Sequence, residues 1–226
     1  MSKKIIWLDC ETSGLDRDKS GIISLAVMAE VDGKVVDSKT FLMNPVGREL
    51  EDGALQVNGF TREQVASFSD WKTVKLEFCS WLDGFVSKFD KEDKATAAGY
   101  NIITFDMGFI ESWFTASGDK YLYSYFDRFP LDVYRMVPML EWSGLGGLPN
   151  RKLGTVCASM GVKLEDAHEA MADVRATREL AGKIRGRIYK NDETLEKLVG
   201  EIFHAFEGDG WPGPDYIKDL IKEALS

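Results

Sequence analysis

The sequence predicts an α/β fold, a mixed five-stranded sheet flanked by helices. Three observations predict it. Three strand-like runs open the chain, the second and third joined by Asp32-Gly33, a dipeptide that marks a tight hairpin between apolar runs. Short strand-like segments then alternate with helical ones, which places parallel strands beside the antiparallel set. Apolar residues make up 44% of the 226 positions and aromatics 12%, enough for one buried core.

The first strand is Ile5-Ile6-Trp7-Leu8-Asp9-Cys10-Glu11, an apolar run ended by the segment around Gly14. Gly21 to Val31 and Lys34 to Met43 are the second and third. From Asp70, the residues Trp71, Val74, Phe78, Trp81, Leu82, Phe85 and Phe89 fall at helical spacing and predict an amphipathic helix reaching Phe89. Ala95 to Gly99 reads as a short strand, followed by a helix over Asp106 to Phe114. Phe129 to Val133 is the fifth strand and leads into a helix through Met139. A glycine-rich loop spans Gly144 to Asn150, and helices are expected over Lys152–Met160 and Glu169–Ile188. Two more, Glu193–Phe206 and Asp215–Leu225, are parted by the Gly- and Pro-rich run Gly208 to Pro214. This organisation is a principal domain over 1–190 and a helical extension over 191–226, packed on the same domain.

A net charge of −9 argues against broad electrostatic adhesion to duplex nucleic acid. It leaves room for an enzyme whose acids gather at a site where bound metal reverses the local sign. Cys10, Cys79 and Cys157 are odd in number, far apart and at no zinc-binding spacing, so reduced thiols and a cytoplasmic setting are expected. Met1-Ser2-Lys3-Lys4 runs directly into a strand, so no signal peptide is expected, and no apolar run is long enough to span a membrane.

Asp9 and Glu11 lie two apart on a strand and therefore project to one face. Like charges held that close repel unless a cation sits between them, and hard divalent ions take oxygen ligands. Two acids at a solvated strand end would give the same pattern. Asp106 falls in the first turn of its helix, where the helix dipole also favours a carboxylate. Asn101 offers a donor and an acceptor near the same strand end. In His168-Glu169-Ala170-Met171-Ala172-Asp173, the aspartate rides on a helix and the histidine sits in the loop before it. Histidine titrates near neutrality and suits a general base, although an ordinary surface histidine fits too. His204, beside Phe203 and Phe206, reads as structural.

The segment Asp9-Cys10-Glu11-Thr12-Ser13-Gly14-Leu15 resembles the first motif of the DEDD exonucleases, whose fold is ribonuclease H-like. Asn44-Pro45, Ala54 and Val57-Asn58-Gly59-Phe60-Thr61 are similar to a later stretch of that family, with Asn58 where the family has histidine. His168 through Asp173 matches the histidine subclass, DEDDh, which includes polymerase proofreading subunits, ribonuclease T and oligoribonuclease. The similarity runs from Ile5 to about Ile184. One stretch departs from it. The spacing from Asn101 to Asp106 is one residue longer than in many proofreading subunits and ribonuclease T, and Gly99-Tyr100-Asn101-Ile102 ahead of Phe105-Asp106 looks instead like the exonuclease domain of family B DNA polymerases.

The resemblance implies metal-dependent hydrolysis of terminal phosphodiesters from the 3′ end, releasing nucleoside monophosphates. It implies two magnesium or manganese ions held by Asp9, Glu11, Asp106 and Asp173, with His168 as the base. Thr12, Ser13 and Leu15 would line the pocket for the terminal nucleotide, with Asn101 and Phe105 as further contacts. Single-stranded or frayed DNA is the favoured substrate. RNA ends are the runner-up, and a catalytically silent nucleic-acid-binding domain is the third reading. A fourth reading, docking to a replication or repair partner, is compatible with the enzyme. The basic run Lys183, Arg185, Arg187 and Lys190 reads as a solvated helix face.

Overall fold

The structure is a computed structural model that describes residues 2–141, 147–164 and 169–187. The chain divides into two compact units, Met1–Leu180 and Ala181–Ser226. In the second unit residues 181–187 are described and are helical. His168, Lys190 and the extension 191–226 with its two expected helices lie outside the described residues, as do residues 144–146 of the glycine-rich loop.

Five strands form one sheet in the order β3-β2-β1-β4-β5. They are β1 (Lys4–Thr12), β2 (Ile22–Val31), β3 (Lys34–Leu42), β4 (Thr96–Gly99) and β5 (Leu131–Asp132). β1, β2 and β3 pair antiparallel, whereas β4 lies parallel to β1 and β5 parallel to β4. The expected mixed α/β sheet is the one observed. Asp32 and Gly33 both take positive φ, 49° and 81°, as a two-residue hairpin with the strands' own twist requires. β2 is buried almost throughout, while β3 is an exposed edge blunted by Lys34, Asp37 and Lys39.

Alternation along β1 separates two layers. Ile6, Leu8 and Cys10 join Leu25, Val27 and Phe41 in a core built against α3 (Trp71–Leu82) and α4 (Asp106–Ala116). Trp113, Phe78, Phe114 and Phe126 are its largest fully buried side chains. Trp7, Asp9 and Glu11 point the other way, toward a helix that occupies residues 170–180 of this unit and is called α7 below. There the Trp7 indole N–H donates to Glu30 Oε2 at 3.1 Å, and Arg178 Nε donates to the same oxygen at 2.6 Å. The helix that carries Asp173 is thus tied to the sheet beneath it.

The helix expected through Phe89 stops at Leu82, in a turn containing Gly84. Glycine is a poor helix former, and Asp83 closes the helix through its N–H to the Cys79 carbonyl. Phe85 still packs on the core without being helical, whereas Phe89 is 90% exposed. The fifth strand shrinks to Leu131–Asp132, because Val133 opens a short 3-10 helix leading to α5 (Val137–Leu140). α6 covers Leu153–Ser159, close to expectation. Two helices were not anticipated, α1 (Asp52–Asn58) and α2 (Arg62–Ser67). Leu55 and Val65 on them cover Ile23 of β2.

Candidate active site

Four carboxylates reach the carboxyl end of β1 from three elements. Asp9 and Glu11 sit on the strand itself, beside an irregularity where the pairing with β2 shifts between Glu11 and Thr12. Asp173 comes from α7, and its carboxylate lies within 4.8 Å of both others, so one oxygen from each could hold one metal ion. Asp106 stands at the start of α4, is only 3% exposed, and accepts the Cys10 backbone N–H at 2.9 Å through Oδ1. That bond fastens α4 to β1 between the two strand acids.

The electrostatics of this group are unfavourable without a cation. Burial, and then the charges of Asp106, Asp173 and Glu11, hold the Asp9 carboxyl well above its ordinary range. Burial pushes Glu11 up to about 7, with Asp173 and Asp106 adding to it. Burial also pushes Asp106 up to about 7, against the hydrogen bond from the Cys10 N–H. Among the described residues no lysine or arginine forms an ion pair with Asp9, Glu11 or Asp106. Oxygen donors converging in this way fit a hard divalent ion.

The other expected site residues are placed less directly. Thr12 and Ser13 are buried beside Glu11, with their hydroxyls turned to the backbone. Thr12 donates to the Gly14 carbonyl at 2.7 Å. Ser13 donates to the Glu49 carbonyl at 2.6 Å and accepts the Gly21 N–H at 2.9 Å. Leu15, 81% exposed, is the side chain of that trio open to solvent. Asn101 takes a left-handed conformation, φ 63°, in the turn that leads from β4 to α4. Phe105 packs on the core and meets the Phe109 ring at 4.9 Å between centroids. Tyr100 has a structural task, its hydroxyl donating to the Arg151 carbonyl at 2.6 Å.

One residue at the site, Asp132, went unread in the sequence, and a second, Asn58, was read only as standing where the family has histidine. Asp132, on β5 and 5% exposed, accepts the N–H groups of Asn101 at 2.9 Å and Ile103 at 3.2 Å, which holds the turn that delivers Asp106. It also accepts the Tyr134 N–H as a helix cap, and an aspartate just before a helical segment was the available signal. Asn58 donates to the Thr12 carbonyl at 2.8 Å and, with Glu11, Phe60 and Met171, borders a pocket of about 260 Å³ beside the acids.

A ribonuclease H-like sheet thus carries, at one end of β1, a carboxylate cluster that could hold a metal ion. Residues 6–181 match the exonuclease family of ribonuclease T, and the chain belongs to that DEDDh-type family. Among curated proteins it is similar to the PolC-type DNA polymerase III of Lacticaseibacillus paracasei, 29% identical over 179 residues, which cover 78% of this chain and 11% of the polymerase. Among solved structures it is similar to Escherichia coli exonuclease I in complex with a dT13 oligonucleotide. There the TM-score is 0.68 at 20% identity, covering 87% of this chain and 43% of that one. The zinc-ion-bound form of the exonuclease I–single-stranded DNA complex gives a TM-score of 0.69 at 19% identity, covering 88% and 45%. The chain thus spans about a tenth of the polymerase and under half of the solved exonuclease.

Proposed function

We propose that this protein is a divalent-metal-dependent 3′–5′ exonuclease that removes nucleoside monophosphates from single-stranded or frayed DNA ends. One observation carries the reading: the carboxylates of Asp9, Glu11 and Asp173 lie within 4.8 Å of one another. The match to the exonuclease family supports the reaction class. The choice of DNA over RNA draws on a DNA polymerase relative and on exonuclease I bound to DNA. The same relative makes a replication or repair partner part of the proposal.

Asp9, Glu11 and Asp173 would hold one magnesium or manganese ion, and Asp9 with Asp106 the second. Bound there, paired ions supply Lewis-acid stabilisation of charge on the scissile phosphate and leaving oxygen. The chain's own groups do the rest. His168 takes a proton from the attacking water on an imidazole nitrogen. Leu15 packs against the terminal base. Asn58 and the hydroxyls of Thr12 and Ser13 fix the backbone that follows Glu11. Asp132 fixes the turn ahead of Asp106.

The test is hydrolysis of end-labelled single-stranded DNA, duplex DNA and RNA with magnesium or with chelator. Shortening of the DNA strand from its 3′ end, stopped by chelation, is expected. Asp9→Asn and Asp173→Asn should each abolish it while leaving the fold intact. His168→Ala should slow turnover roughly 10²–10⁴-fold. Degradation from the 5′ end, cleavage indifferent to chelator, or preferential loss of RNA would refute the corresponding part of the reading.

A further inference from the structure

A second feature lies at the other end of the sheet from the acids. Asp106 follows the Gly99 end of β4, whereas Lys94 precedes its beginning, where Ala95 bridges to Phe126. Around that beginning, the middle of α3 (Lys75, Leu76 and Cys79) and the segments 88–94 and 119–128 line a cleft of about 930 Å³. On a chain of net charge −9, this cleft is lined by five lysine and arginine side chains and one acid, Asp119. Asp119 is engaged by Lys75 at 2.6 Å. Lys91 and Arg128 are exposed and form no ion pair or hydrogen bond among the described residues.

Aromatic rings stand between these cations. Phe89 is 90% exposed, Tyr121 72% and Tyr123 39%, although water is a poor solvent for such surfaces. Lys88 lies 5.7 Å from the centroid of the Phe89 ring. The unpaired cations Lys91 and Arg128, lining the same cleft as these open rings, suit a ligand that offers phosphates at one edge and flat apolar faces at the other. A single-stranded nucleic acid is that ligand. Stacking on rings is tolerant of sequence, and phosphate pairing follows the backbone. An acidic peptide would use the cations and leave most of the ring area unmatched.

We propose that this cleft is a second binding site for single-stranded nucleic acid, holding part of the strand away from the end being hydrolysed. The proposal rests on the nuclease reading for its choice of ligand. β4 has four residues and is about 13 Å long, so a strand of several nucleotides could engage both ends of the sheet. Such a second hold would favour long strands over very short ones.

The experiment measures fluorescence anisotropy of labelled oligothymidylate and oligouridylate on the full chain, with chelator present so that no hydrolysis intervenes. A salt series is compared for the parent, Lys91→Ala/Arg128→Ala and Phe89→Ala/Tyr121→Ala. All four side chains are exposed, and unchanged melting temperatures confirm that the variants fold. The charge variant should lower the log–log salt slope by about 1.4, at about 0.7 per phosphate on a single strand. The ring variant should weaken binding at least about 5-fold per ring. Hydrolysis of a dinucleotide, which cannot span the sheet, should stay at the parent's rate. Parent-like affinity and slope in both variants would overturn the proposal, as would displacement of the oligonucleotide by an equally charged acidic peptide at lower concentration. Because binding is read without metal, these results stand whether or not the carboxylate site hydrolyses DNA.

Discussion

At the scale of single residues, the acids of the candidate site depend on others that hold backbone. Asp132 is the clearest case: three N–H groups converge on its carboxylate, two of them from the turn between β4 and α4. Asp132→Asn keeps the shape and replaces one acceptor oxygen by a donor, which must face an N–H. A loss of about 1–3 kcal/mol in urea unfolding is expected, together with slower hydrolysis, because Asp106 is no longer delivered to Cys10. Parent-like stability in this variant would show that the turn stands without Asp132. The site's acids were legible in sequence because local geometry places them: a two-residue spacing on a strand, a first helical turn, a helix after a loop. Asp132 was not, since a two-residue strand has no pattern and its partners lie 29 and 31 positions away.

At the scale of elements, the site is a meeting of β1, α4 and α7, and each junction is specific. α7 is held to the sheet by Glu30, buried to 7% exposure, whose Oε2 accepts from both Trp7 and Arg178. Arg178→Ala should cost about 1–3 kcal/mol, as expected for a hydrogen bond between charged groups. It should also weaken magnesium binding at the cluster, because Asp173 rides on the same helix. Calorimetric titration with magnesium checks this. Unchanged affinity would mean that apolar packing by Val174 and Leu180 alone positions the helix. Where local signals were strong the sequence predicted the elements well, as at Asp32-Gly33. It overran α3 because Phe85 keeps the apolar spacing after the helix has ended, burying its ring from a turn. α1 and α2 are short, yet Thr61 and Gln64 form a full capping box that the sequence displays openly. They were missed because neither is long enough to show a helical stripe.

At the scale of the whole molecule, the cluster should make stability depend on pH and, under the proposed function, on metal. Glu11 and Asp106 sit at about 7 in the folded, metal-free chain, against ordinary values of 4.5 and 3.8. Between those limits the folded chain binds more protons than the unfolded one, so stability falls as pH rises and does not recover above about 7. In chelator, the melting temperature should therefore drop between about pH 5 and about pH 8, by the equivalent of a few kcal/mol. A divalent ion replaces the protons, so magnesium should raise the melting temperature much more at the higher pH than at the lower. Net charge alone would also lower stability with rising pH, since a chain at −9 repels itself more strongly as it deprotonates. Glu11→Gln separates the two causes. It removes one charge of nine but a specific repulsion at the cluster, so it should flatten the chelator curve and shrink the magnesium effect together. A variant curve parallel to the parent's would assign the pH dependence to overall charge and leave the carboxylates without a part in it.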